Sequence, residues 1–190
     1  FVRYHENMNT PPDPLPDLDA VLDHARELRI PDTLAGDQGV DALRVLLTVR
    51  NLIDHLCATV VGVLDRCAVA RGQGRTLSEL VIALGCAPSV AARLIRIGTA
   101  LPALPTLAAH AADGAIPAEH VDAIVQGLSH IDRRSPEPIG AADRFTQVTD
   151  LLGQHFSGAT PSEIAKRARR LVNRAAAATG GLPAAEDRSI

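Results

Sequence analysis

Apolar residues recur along most of this chain in steps of three and four, the periodicity of helices that bury one side. The longest run lies between Asp41 and Ala70. There Leu46, Val49, Ile53, Leu56, Val60, Val63 and Cys67 alternate those steps, the heptad spacing of a helix–helix seam. Leu43, Leu47, Leu52, Val61 and Leu64 widen the stripe. A wide stripe predicts burial by more than one neighbour, so helix 41–70 is expected at the centre of a bundle, with homodimerisation through it as an added use. Shorter amphipathic stretches predict helices over 17–28, 76–84, 88–100, 104–113, 117–128, 141–155 and 161–178. The expected fold class is all-α, a multi-helix bundle around one long central helix with a helix-turn-helix-like corner.

Three corners share one punctuation: Gly85-x-x-Pro88, Gly114-x-x-Pro117 and Gly158-x-x-Pro161. Glycine enters the left-handed region that ends one helix, and proline suits the first turn of the next, where a backbone donor would go unused. At the third corner Thr160 and Glu163 have the spacing of a capping box. The proline-rich stretch "NTPPDPLPD" marks residues 1–16 as a flexible lead-in, and "TGGLPAAEDRSI" marks 179–190 as a linker or tail. Between them, 17–178 is expected to form the helical domain. "IPDTLAGDQG" and "HIDRRSPEPIG" read as loops.

The corner at 76–100 raises the first functional question. Leu77, Leu80, Val81 and Leu84 are expected inward on its first helix, and Val90, Ala91, Leu94 and Ile97 on its second. Arg93 and Arg96 then share an outer face, with the small Ser89 beside them. A second helix presenting a basic face is what insertion into a DNA major groove requires. An ordinary helical corner with solvated arginines fits the same pattern. On the last helix, Lys166, Arg167, Arg169, Arg170 and Arg174 fall largely on the outer side. That arrangement serves either contact with phosphates or complementarity to the helix C-terminus. With Arg75, these residues make up the candidate nucleic-acid set, and double-stranded DNA is the expected partner.

Composition narrows the classes. Aromatic residues are 2% of the 190, with no Trp, so the stacking platforms of single-strand and RNA-binding sheets are not available. The net charge of −3 argues against a general coat for nucleic acid, but the charge is uneven. Residues 1–41 carry nine acidic against three basic side chains, a net of −6, whereas 71–96 are net +3 and 160–174 net +4. Three cysteines without CxxC spacing predict reduced thiols and a cytoplasmic setting. Arg50, Asp54 and His55 interrupt the most apolar run, so a membrane span is not expected.

Two resemblances add to this reading. "LGCAPSVAARLIRIGTALPALPTLAAHAADGAIPAEHVDAIV" loosely resembles the central DNA-binding segment of ParB-type partition proteins, through Leu84-Gly85, Val90-Ala91, Leu101-Pro102, and Gly114 to His120 with Ile124. More extensively, "LDRCAVARGQGRTLSELV", the "LG..PS.A.RL" corner, "LPAL…ADGAIPAEHV" and "TPSEIAKRARRLV" resemble the N-terminal helical domain of the actinobacterial 13E12 repeat family. That resemblance implies a module of unknown function followed, C-terminally, by an HNH endonuclease domain. It brings no catalytic residue to this chain.

The residues themselves supply no catalytic constellation either. An HNH centre would need paired His and an Asn around a metal and a scissile phosphate. His110, His120 and His130 recur every ten residues, which turns each about 80° from the last in a continuous helix. Pairs such as His110/Asp113 and His120/Asp122 are metal-like, but His120 reads better as a half-buried, hydrogen-bonded residue. No catalytic residue, metal or cofactor is expected, which leaves DNA binding and helical association as the readings to separate.

Overall fold

The computed structural model of the protein describes residues 18–135 and 137–178, with side chains through Asn173. The lead-in 1–16, the tail 179–190 and the side chain of Arg174 lie outside the described residues. The chain divides into two compact units between Ala42 and Leu43. In the first, α1 (Leu18–Glu27) buries no residue.

The second unit follows the long helix α2 (Gly36–Arg66), within which the division falls. A single turn, α3 (Val69–Gly72), leads to α4 (Leu77–Ala83) and α5 (Pro88–Ala100). A 3-10 turn at Leu101–Ala103 leads to α6 (Pro105–Ala112), α7 (Ala118–Arg134), α8 (Ala141–Phe156) and α9 (Pro161–Ala178). No strand occurs among the described residues, so the all-α class holds.

The expected corners form as the local chemistry requires. Gly85, Gly114 and Gly158 have φ of +101°, +68° and +85°, a region that costs other L residues energy. The Thr160–Glu163 capping box forms, with the Thr160 amide donating to Glu163 Oε2 at 2.7 Å. A second box that sequence reasoning passed over caps α4, where the Thr76 amide donates to Glu79 Oε2 at 2.7 Å and the Glu79 amide to Thr76 Oγ1 at 3.2 Å. Its S/T-x-x-E signature was legible in Thr76-Leu-Ser-Glu79.

Three boundaries differ from expectation. The long helix begins at Gly36, inside the expected loop "IPDTLAGDQG" and ahead of the expected start at Asp41. The long helix ends at Arg66 because Ala68 takes a left-handed φ of 55°, which no continuing helix tolerates. Conversely, α7 runs on to Arg134 through part of the expected loop. Nothing in Ser129–Arg134 breaks a helix, and the stop comes at extended Ser135, the residue that precedes a proline.

The buried centre is built on α7, which buries Val121, Ile124, Val125, Leu128 and Ile131 against α5, α6, α8 and α9. Leu107, Ile116, Ile124, Leu151 and Ile164 are the largest fully buried side chains. At Gly127, a Cβ would stand 2.8 Å from that of Ala168, so α7 and α9 touch almost backbone to side chain.

Helix α2 meets this core differently from expectation. Only Ala58, Val61 and Gly62 are buried on it. A Cβ on Gly98 of α5 would overlap the Ala58 carbonyl oxygen and lie 2.9 Å from the Gly62 nitrogen; one on Gly62 would overlap the Gly98 carbonyl. Small residues let the two backbones cross at contact distance. Further along, Asn51 Nδ2 donates to the Gly114 carbonyl at 3.0 Å. A Cβ at Gly114 would sit 3.0 Å from Thr48 and Leu52 atoms.

Two glycine replacements test this crossing. Gly98→Ala is expected to cost about 2 kcal/mol or more, since backbone must move to admit the methyl. Gly153→Ala, in α8 with nothing within 4 Å of the added carbon, is expected to stabilise by roughly 0.5–1 kcal/mol through helix propensity alone. Urea unfolding of both measures the contrast, and equal midpoints would refute the crossing.

Candidate functional site

Both expected DNA-facing arginines of the corner end on carboxylates. Helix α5 buries Ala91, Leu94 and Ile97 as expected, and α4 buries Leu80 and Val81, although Leu84 lies 72% exposed. The adjoining side of α5, with Arg93 and Arg96, faces α7. Arg96 donates from Nε and Nη2 to the two oxygens of Asp122, each at 2.8 Å, and Gln126 Nε2 donates to Asp122 Oδ2 at 2.8 Å. Asp122 is the one buried charged residue among those described. A bidentate guanidinium and an amide satisfy it where water cannot. That hydrogen bond raises the Arg96 pKa above its ordinary value.

Arg93 donates to Glu119 Oε1 at 2.6 Å, and so does Arg50 from α2, also at 2.6 Å. Glu119 thus joins three helices. Burial works to raise its pKa, but its backbone hydrogen bond and the two guanidinium charges outweigh that and hold it below the ordinary range. Arg93 and Arg96 are therefore structural pairs between α5 and α7, not a free outer face. Ser89 and Arg75 are exposed.

On α9, Arg167 is likewise taken, donating to Asp150 of α8 at 2.7 and 2.5 Å. Lys166, Arg169 and Arg170 are exposed, and Arg169 and Arg170 make no ion pair among the described residues. The two basic elements meet only in part. Arg169 lines a cleft with Arg96, while Lys166, Arg167 and Arg170 line a separate hollow beside Gln154 and Ser157.

An unexplained apolar surface lies on α2. The heptad residues Leu46, Val49, Ile53, Leu56, Val60 and Val63 are 41–53% exposed, and Cys67 is an exposed free thiol. At 100° per residue these positions cluster opposite Ala58, Val61 and Gly62. The expected burial of the stripe by several neighbours does not occur. The core takes the small residues on one side of α2, and the expected seam lies bare on the other. By length and composition α2 is apolar enough to cross a membrane.

The histidines form a cluster that no sequence spacing announces. His120 Nε2 donates to the Ala159 carbonyl at 3.1 Å and His155 Nε2 to the Ala115 carbonyl at 3.3 Å. The rings stand 4.7 Å apart, with buried Nδ1 atoms that have no hydrogen-bond partner among the described residues. Burial pushes the His155 pKa below 6.5, opposed by the Ala115 bond and aided by His120 and His110; burial does the same at His55. Among the described residues, no group of three or more His, Cys, Asp or Glu is gathered as a metal site.

These histidines predict a pH dependence. Both pKa values are lower in the folded chain, so the unfolded chain binds more protons as pH falls through about 6.5. Stability is then complete above that pH and declines below it, toward the folded pKa values. Urea midpoints at pH 7.5 and 5.0 read the decline directly, and His155→Gln should flatten it. An unchanged slope in the variant would contradict the assignment.

A family model described as a domain of unknown function, DUF222, matches residues 40–189. No curated protein and no solved structure matches the chain.

Proposed function

Starting from the chain's membership of the DUF222 family, a domain of unknown function, we propose that it is a helical association module whose α2 seam pairs with that of a second copy. The observation that carries this reading is the bare heptad run, Leu46 to Cys67, on the side of α2 away from the core. Its unbroken alternation of three and four matches the phase of another such helix. Identical copies supply that partner by two-fold symmetry. Of the flanking positions, Leu52, Cys57, Thr59 and Leu64 carry no charge, Arg50 is already held by Glu119, and the charged Arg66 stands at the end of α2. The seam exposes roughly 600 Å² of apolar side chain, as large as the biggest patch on a typical monomer. Pairing would cover roughly 1,200 Å² in total, the lower end for specific interfaces.

A second reading, contact with double-stranded DNA, rests on Lys166, Arg169 and Arg170, exposed along α9. Arg75 and Ser89 on the corner, and Arg174 further along α9, belong to the same candidate set. Arg93, Arg96 and Arg167 contribute through positioning, since carboxylates hold them. The resemblance to the 13E12 repeat family supports placing such a module before an HNH nuclease domain. The free cysteines support a cytoplasmic setting.

Sedimentation equilibrium of the wild-type chain at tens of micromolar should show a dimer, and Ile53→Lys with Val60→Lys should yield a folded monomer with unchanged helical circular dichroism. A monomeric wild type, or one whose seam instead captures lipid vesicles, would overturn the self-association reading.

A further inference from the structure

Four guanidinium groups from four different helices line one open cleft of about 690 Å³: Arg96 of α5, Arg133 of α7, Arg144 of α8 and Arg169 of α9. Among the described residues, one carboxylate, Asp132, is on the lining. The arginines fall into two kinds. Arg96 is fixed by Asp122, and Arg144 by Asp132 and by Gln147 Oε1 at 3.2 Å. Arg133 and Arg169 are exposed and make no ion pair among the described residues. Gln126, Ser129 and Thr99 line the same cleft with neutral polar groups.

We propose that this cleft binds a phosphate group, with Arg96 and Arg144 as its fixed wall and Arg133 and Arg169 as the donors that close on the anion. The charge balance supports it. Asp122 and Asp132 answer Arg96 and Arg144, which leaves the charges of Arg133 and Arg169 without a carboxylate among the described residues until a counter-charge enters. A phosphate offers several acceptor oxygens, and guanidinium forks match it in paired hydrogen bonds. The hydrogen bonds to Asp122, Asp132 and Gln147 restrain the wall before a ligand arrives, which lowers the ordering cost of binding. Arg133 also sits in the last turn of α7, where the helix terminus favours a cation. That accounts for one arginine of the four. A free nucleotide and a nucleic-acid backbone both present such a phosphate, and the chemistry recognised is the same.

The α2 seam takes no part in this inference, which rests on the DNA reading and deepens it by adding Arg133 and Arg144 to Arg96 and Arg169. Fluorescence anisotropy of a labelled duplex at low ionic strength, with pyrophosphate and ATP as competitors, tests it on the full chain. Arg133→Ala with Arg169→Ala is expected to weaken the bound probe about tenfold or more through lost charge-assisted contacts, while the unfolding midpoint without ligand stays at the wild-type value or rises. Arg66→Ala with Arg71→Ala, which removes two exposed charges that line neither hollow, should change binding no more than about twofold, as charges away from the site are screened. Competition by pyrophosphate and ATP identifies a free phosphate pocket; duplex binding that resists them yet falls in the first variant identifies a backbone site. Equal loss in both variants, or no binding of any probe, overturns the cleft. If Lys166→Ala with Arg170→Ala releases the duplex while Arg133→Ala with Arg169→Ala does not, the DNA reading survives and the cleft does not.

Discussion

The backbone crossing of α2 on α5 sets the terms for the rest of the fold. Ala58 and Gly62 on one helix and Gly98 on the other leave no room for a side chain between the axes. Close contact there brings dispersion and weak Cα–H···O interactions in place of interlocking aliphatics. The consequence lies on the opposite side of α2. A helix that meets its core through glycine and alanine keeps its large residues for elsewhere, so Leu46, Val49, Ile53, Leu56, Val60 and Val63 face away. The apolar exterior follows from the narrow interior contact, and both must be explained together.

The charged residues then fix the angle at which the helices sit. Glu119 accepts from Arg93 of α5 and Arg50 of α2, and Asp122 one turn along α7 takes Arg96 in both its oxygens. Exposed pairs are worth little, but Asp122 is buried and its partners leave it satisfied. Removing one partner would strand a charge, which costs far more than the pair contributes. These bonds favour one arrangement of α2, α5 and α7, and they consume the two arginines that a groove-reading helix would have needed.

Local signals made much of this legible from the sequence. The three Gly-x-x-Pro corners and the Thr160 box depend on residues four or fewer apart, so the residues that cause the structure stand together in the chain. The partners of Arg93 and Arg96 stand 26 positions away, and on a helix the outward side for one neighbour is the inward side for another. Helix α2 was misjudged for a related reason. Its apolar residues cover both sides, and periodicity counts Leu and Val heavily while treating Ala58 and Gly62 as neutral. The smallest residues marked the buried side. The His120–His155 contact had no signal at all, because it joins two helices through backbone carbonyls at Ala159 and Ala115.

Spatial separation decides how the remaining surfaces relate. The seam lies on the side of α2 opposite its contact with α5, whereas the arginine cleft opens among α5, α7, α8 and α9, and no residue of α2 lines it. A second copy seated on the seam would therefore leave the cleft open, so pairing and anion binding need not compete. Coupling between them would have to pass through α5, which carries Gly98 at the crossing and Arg96 in the cleft two residues before it. The Arg50–Glu119–Arg93 junction ties the same two helices to α7. A shift of α2 on pairing would thus load the Arg96–Asp122 bond that holds one wall of the cleft, and a rigid crossing would leave that wall unmoved. The glycine contact, too tight to slide without moving backbone, favours the second behaviour and makes the two surfaces independent.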